Sequence, residues 1–390
     1  MFPKWLLPEF VEDVLPFEAK RVEAVRRSLL DQYSTFGYEL VSPPLIEYLE
    51  SLLTGSGRDL DLQTFKTVDQ LSGRTLGIRP DITPQIARID AHLMANAGVT
   101  RLCYADRVLR TKPSESEGSR EIVQVGAELF GCAHIGADIE IVKMMVSSVK
   151  RVMGNSLLLD LGNVSIPRSV ADWLGLDEGE RSVFFEGLQK KDTTLLGEFV
   201  TDFSEEKKVV VMALPKLYGD ISILDTARGV LEPVPGALSG IDELSAVSAA
   251  VRSNLDSVTI DLSHSRGFEY HSGLVVALYA EDGATVIARG GRYDHIGEAF
   301  GNARAATGFT VDVRRVAACA LNREVLSKHM KKIIAPYAQD DLVLQAKIER
   351  LRIEGNVVVE DLLHNAQILG DSEFTHELYE KNSEWILKEL

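Results

Sequence analysis

Two polar residues on one strand face, Gln124 and Glu128, stand out in the run EIVQVGAELF. Side chains alternate along a strand, so Ile122, Gln124, Gly126, Glu128 and Phe130 share one face, while Val123, Val125, Ala127 and Leu129 share the other. The second set is wholly apolar and predicts core. The first predicts a polar notch in which Gly126 leaves room for a ligand, although a solvated sheet face would read the same way. In RPDIT, Asp81 and Thr83 sit at a strand end just before a helix N-terminus, placed to hold an ammonium group. Taken alone, Thr83 reads as a helix cap with Pro84 at the first helical position, and Asp81 as a surface turn. A third cluster, RGFEYH (266–271), precedes a hairpin ending in GGRYD (290–294). Its paired glycines allow close backbone approach, and Arg266, Tyr270, His271 and Tyr293 supply donors and an acceptor.

These clusters need a sheet to bring them together. Apolar residues from Phe17 to Phe36 recur at helical spacing after Pro16, and Gly37 stands where a left-handed C-terminal cap belongs. YELVSPP reads as a strand ended by prolines, and FKTVD with TLGIRPD as a hairpin. RLCYADRVLR and EIVQVGAELF flank a polar loop, followed by a helix near 137–153 and the strand SLLLDLG. From about 165 to 255 the pattern turns helical and acidic, which predicts an inserted subdomain. SVTIDLS, GLVVALYA and TVIARGG are strands, the last two joined by the turn EDGA, and a helix is expected over 309–321. Strands arriving as hairpins rather than as βαβ repeats predict an α+β fold: a mostly antiparallel sheet with flanking helices. The last 60 residues read as one β-α-β unit, KKIIAPY to NVVVEDL, with an acidic helical tail from Glu373 onward. The expected division is a core at 1–325, carrying the insertion at 165–255, and a small α/β domain at 326–390.

With 58 acidic against 42 basic side chains among 390 residues, the formal net charge is -16. Such a chain has no long-range field to gather nucleic acid. Cys103, Cys132 and Cys319 stand in no disulfide or metal-binding spacing, so reduced thiols in the cytoplasm are expected, with no metal. The N-terminus lacks a basic region with an apolar run, and neither export nor a membrane span is expected.

In this order the motifs resemble the class II aminoacyl-tRNA synthetase core, and within it the histidyl-tRNA synthetase branch, over about residues 8–320. GYELVSPPLIE is similar to motif 1, with Pro44 at the motif proline. VLRTKPSESEGSREIVQVGAE is similar to motif 2, RGFEYH and GGRYD to the two histidine-specific motifs, and GFTVDVRRV (308–316) to motif 3. The departures concern the nucleotide. Synthetase motif 2 opens Phe-Arg-x-Glu, whose glutamate accepts from the adenine amino group. Here Leu109, Arg110, Thr111 and Lys112 oppose a donor with a donor, a loss on the order of 1 to 3 kcal/mol. Gly-Arg-x-Arg becomes Gly118, Ser119 and Arg120, while Gly-Leu-Glu-Arg of motif 3 becomes Asp312, Val313, Arg314 and Arg315. A degenerate ATP site is therefore expected at Arg110, Lys112, Arg120, Asp312, Arg314 and Arg315.

The amino-acid positions fare better: Asp81, Thr83, Gln124, Glu128, Arg266, Tyr270, His271 and Tyr293 fall on the histidine pocket, with Asp81 in place of a glutamate and His271 of a tyrosine. A chain with such a pocket, an altered ATP site and no full-length basic anticodon domain resembles the ATP phosphoribosyltransferase regulatory subunit family of histidine biosynthesis. That resemblance implies no catalysis, no cofactor and no tRNA. It implies a dimer through the motif 1 region, a hetero-octamer with the short-form catalytic subunit, activation of that subunit, and feedback inhibition by histidine. The expected contacts are the histidine ammonium with Asp81 and Glu128 and its carboxylate with Arg266. A divergent histidyl-tRNA synthetase and a stand-alone histidine sensor remain the alternatives.

Overall fold

The computed structural model describes residues 5–55, 58–94, 98–113, 118–154, 157–265, 267, 270–301, 303–320, 330–362 and 374–390. The chain forms two compact units, Met1–Asn322 and Arg323–Leu390.

In the larger unit, helix Pro16–Thr35 buries Val25, Leu29 and Tyr33 and ends where Gly37 takes φ +81°. That left-handed turn lets the Tyr38 amide reach back to the Tyr33 carbonyl. The strand expected from YELVSPP is only β1 (Glu39–Leu40), because Pro43 and Pro44 lack the N–H a ladder needs. Strands β2 (Ile46–Tyr48), β3 (Phe65–Val68) and β4 (Thr75–Ile78) make a separate three-stranded sheet in the order β2-β4-β3, so the expected hairpin is present.

The main sheet has nine strands. These are β1, β5 (Thr100–Leu109), β6 (Glu121–Phe130), β7 (Leu157–Asn163), β8 (Tyr218–Gly219), β9 (Ser257–Asp261), β10 (Leu274–Ala280), β11 (Val286–Arg292) and β12 (Ala306–Asp312). Their order is β1-β5-β6-β12-β11-β10-β7-β9-β8, antiparallel except at β1-β5 and β7-β9. The α+β expectation holds. Helix Ile135–Met153 covers one face with Ile141, Met145 and Val149, and the insertion between β7 and β9 is helical except that β8 returns to the sheet edge.

One expected element was of the wrong type. Residues 309–312, expected to be helical, complete β12, and helix Val313–Cys319 begins only afterwards. Phe309 and Val311 alternate with Thr310 and Asp312, a period of two that the adjoining helix obscures.

The smaller unit holds β13 (Lys332–Pro336), helix Leu342–Ile353 and β14 (Val357–Asp361), the expected β-α-β unit with its strands parallel. The acidic tail is not a helix among the described residues. It is a hairpin of β15 (His376–Lys381) and β16 (Glu384–Glu389), giving the order β14-β13-β15-β16. Asn382 and Ser383 both take positive φ, the two-residue turn that matches strand twist. Alternation of Leu378, Trp385 and Leu387 toward the core outweighs the charge of the outer face.

Candidate functional site

The polar residues singled out on β6 meet the rest of the site through strand register. Glu128 pairs with Gly308 of β12 and Gly126 with Thr310, while on the other side Gly126 pairs with Tyr104 of β5. β6 is buried on both faces after its first residue, so the solvated-face reading fails; Gln124 is 2% and Glu128 1% exposed. Gly126 does make room, but not for a ligand. The Tyr104 ring lies where its Cβ would be, and the Tyr104 hydroxyl contacts Thr310 Oγ1 and donates to Glu128 Oε1 at 3.2 Å.

Thr83 is likewise not a helix cap. It is the first residue of helix Thr83–Ile89, and its hydroxyl donates to Glu128 Oε1 at 3.1 Å. Asp81 satisfies the helix end instead, accepting from the Thr83 amide at 2.9 Å. On the other carboxylate oxygen, Glu128 Oε2 accepts from the Tyr293 hydroxyl. Among the described residues no cation pairs with this carboxyl, and burial raises its pKa to about 8, with the nearby Asp81 charge acting in the same direction.

Gln124 Nε2 donates to Asp81 Oδ2 at 3.1 Å, and Gln124 Oε1 is buried without a partner among the described residues. A buried acceptor next to a carboxylate is a site for a donor-rich cation. Tyr270 stacks on Tyr293 at 5.2 Å between ring centroids, and His271 meets the edge of Tyr270. Burial pushes the His271 pKa down to about 4, so its imidazole is neutral near pH 7.

Together these groups surround a cavity of about 360 Å³, within the range of small-molecule sites. Asp81, Thr83, Gln124 and Glu128 line it, as do Tyr270, His271 and Tyr293. Arg266 lies outside the described residues. Behind Tyr293, Arg292 forms a buried ion pair with Asp138, Nη2 to Oδ2 at 2.6 Å.

The residues expected at a degenerate nucleotide site divide. Arg110, Asp312 and Arg315 line the same cavity. Asp312 accepts from the Arg314 and Arg315 amides and pairs with Arg315 Nε at 3.2 Å, so its carboxylate occupies the turn. Lys112, Arg120 and Arg314 do not line the cavity. Lys112 is exposed beyond the end of β5. Arg120 lies over the Phe65 ring, and Arg314, one residue into the first turn of helix Val313–Cys319, points away from the cavity side shared by Asp312 and Arg315 and pairs with Glu12 and Glu18. Sequence reasoning missed Tyr104 and Thr310, because both enter through a register that no loop length reveals. It also missed Arg289, which lines the cavity from β11. Among the described residues no cluster of His, Cys, Asp or Glu is placed to hold a metal, and no helix is long and apolar enough to cross a membrane.

The sheet is that of the class II synthetase core of histidyl type: the profile described as Histidyl-tRNA synthetase matches residues 10–316. A histidyl-tRNA synthetase structure from Nostoc shares the fold, with TM-score 0.77 at 18% identity over 97% of this chain and 92% of that one. A second profile, ATP phosphoribosyltransferase subunit HisZ C-terminal domain, matches 330–388. The curated ATP phosphoribosyltransferase regulatory subunit of Cupriavidus pinatubonensis is 43% identical over 98% of both chains. That of Burkholderia lata is 44% identical over 98% of this chain and 99% of its own. A crystal structure from Bacillus halodurans, titled as an ATP phosphoribosyltransferase regulatory subunit/histidyl-tRNA synthetase, gives TM-score 0.79 at 26% identity, covering 94% and 95%. This chain belongs to the ATP phosphoribosyltransferase regulatory subunit family. The role that goes with this membership is regulatory and non-catalytic, in histidine biosynthesis.

Proposed function

We propose that this chain binds histidine in the cavity beneath Glu128 and uses it to control a short-form ATP phosphoribosyltransferase in the cytoplasm. In the absence of histidine it activates that catalytic subunit, and histidine reverses the activation. The observation that carries the reading is the pair of complementary ends. Asp81 and the unpartnered Gln124 Oε1 form an acceptor pair suited to an ammonium group. Glu128, protonated near pH 7 and surrounded by hydroxyls, offers its proton to an imidazole nitrogen beside the Tyr270–Tyr293 stack. This orientation assigns the ammonium to Asp81 and Gln124, and moves Glu128 from the ammonium to the imidazole. Arg266 is the partner expected for the carboxylate.

Nucleotide chemistry is disfavoured at the Asp312 turn, where a carboxylate and its arginine partner fill the base-side wall. The exposed Leu40, Leu45 and Ile46 at the motif 1 strand suit the family dimer, and the assembly we infer is a hetero-octamer with the catalytic subunit. Histidine can shift this assembly only by binding two of its states unequally. The test is the rate of a matched short-form transferase with and without this chain across a histidine titration. Activation that histidine reverses is expected, with no histidine-dependent exchange of pyrophosphate into ATP. An unchanged transferase rate, or measurable exchange, would overturn the reading.

A further inference from the structure

Neighbouring residues of the 312–315 turn face opposite sides of the sheet. Asp312 and Arg315 line the effector cavity, whereas Arg314 Nη2 meets Glu12 at 2.6 Å and Glu18 at 2.9 Å. Glu12 and Glu18 belong to an N-terminal strap, 5–15, and the first turn of the helix that follows it. A second linkage reaches the same strap. The Arg120 amide donates to the Phe10 carbonyl at 2.9 Å, and Arg120 Nε donates to the carbonyl of cavity-lining Arg110 at 3.2 Å. Two independent connections therefore run from the cavity wall to the strap.

The strap is poorly packed. A cleft of about 410 Å³ lies beneath it, walled by Leu7, Val11, Val14 and Val22, with Val123 on the face of β6 opposite Gln124. Elsewhere on the same N-terminal segment Trp5, Leu15 and Phe17 are 79%, 69% and 78% exposed, although they do not line the cleft. Contiguous apolar side chains rimmed by charge mark an interaction surface. Here the rim is acidic: Glu12, Asp13, Glu23 and Glu121 stand against Arg107 and Arg314, and both arginines are already paired with carboxylates. A second copy docked about a two-fold axis would set this rim against itself. The complementary partner is a different chain that presents apolar side chains flanked by lysine or arginine.

We propose that the cleft under the N-terminal strap docks the catalytic transferase through such a segment, and that the Arg314 and Arg120 linkages couple it to the effector cavity. This rests on the regulatory reading above. The test uses the full chain carrying Leu7→Ser and Asp13→Lys, with affinity for a matched short-form transferase measured by sedimentation. Affinity should fall at least tenfold, while the variant alone binds histidine and self-associates as the unaltered chain does. Arg314→Met should shrink the histidine-dependent shift in transferase affinity; because Arg314 also borders the cleft, the shift is read as the ratio of affinities with and without histidine, and an unchanged ratio would overturn the coupling. If the unaltered chain activates the transferase and the Leu7/Asp13 variant binds it equally well, the docking site is elsewhere. If that variant loses self-association instead, the cleft belongs to a second copy and the proposal falls. An unaltered chain that neither binds nor activates the transferase overturns the regulatory reading, and this occupant with it.

Discussion

Gly308 of β12 lies directly opposite Glu128 of β6, and the Glu128 carboxylate occupies the space that a Cβ at Gly308 would fill. Gly308→Ala must therefore push a fully buried carboxyl away from its three hydroxyl donors. Overpacking of this kind costs about 1–3 kcal/mol, to be read from urea denaturation. Histidine binding by calorimetry should weaken at least tenfold; an unchanged isotherm would place the effector away from Glu128.

Glu128 also sets a pH dependence. Its folded pKa of about 8 lies above the ordinary 4.5 because burial penalises the charge. Between those values the folded chain keeps a proton that the unfolded chain has released. The stability that goes with it is complete below pH about 4.5 and is lost as pH rises through about 8. Glu128→Gln removes the titration, so its unfolding free energy relative to wild type should improve on going from about pH 6 to about pH 9. Parallel pH profiles for the two proteins would show that Glu128 does not carry the proton.

Asp81→Asn tests the ammonium end. Hydrogen bonds to charged groups contribute about 1.5–3 kcal/mol, so histidine affinity should drop roughly 10- to 100-fold. The folded state should be little affected, because asparagine can still accept from the Thr83 amide. Calorimetry and a melting curve on the same sample separate the two effects, and retained affinity would rule Asp81 out as a ligand.

Asp138→Ala strips the buried Arg292 guanidinium of its main partner, leaving Asp294 at 3.1 Å and the Cys132 carbonyl at 3.3 Å. Breaking a buried pair from one side costs about 3–5 kcal/mol. Because Arg292 precedes Tyr293, histidine affinity should fall too, and added salt should change neither loss much. A stability loss with wild-type affinity would separate the ion pair from the pocket.

Most of the pocket was legible because its residues carry their chemistry in short motifs: Asp81, Gln124, Glu128 and Tyr293 were found as polar groups beside glycines and strand ends. What escaped depended on register. Tyr104 reaches Glu128 only because β5 and β6 pair so that Gly126 sits beneath its ring. Gly126 was correctly read as space, and the occupant was misjudged. Motif position puts Arg314 in the pocket, yet helix Val313–Cys319 starts right after Asp312, so helical spacing keeps Asp312 and Arg315 on the cavity side and turns Arg314 away. The tail was read as a solvated helix from its charge, whereas two positive-φ residues and a few inward apolar side chains decide for a hairpin.

The pocket floor is formed by β6 and β12, each hydrogen-bonded along both edges, with β5 and β11 outside them. A strand clamped on two sides cannot slip without breaking two ladders at once. The floor is therefore a fixed template, and its amides belong with the last to exchange with solvent. If histidine binds as proposed, its Glu128 end would meet a surface set before binding begins, and any adjustment to an analogue of another length would fall to Asp81, which lies off this floor in the turn before helix Thr83–Ile89.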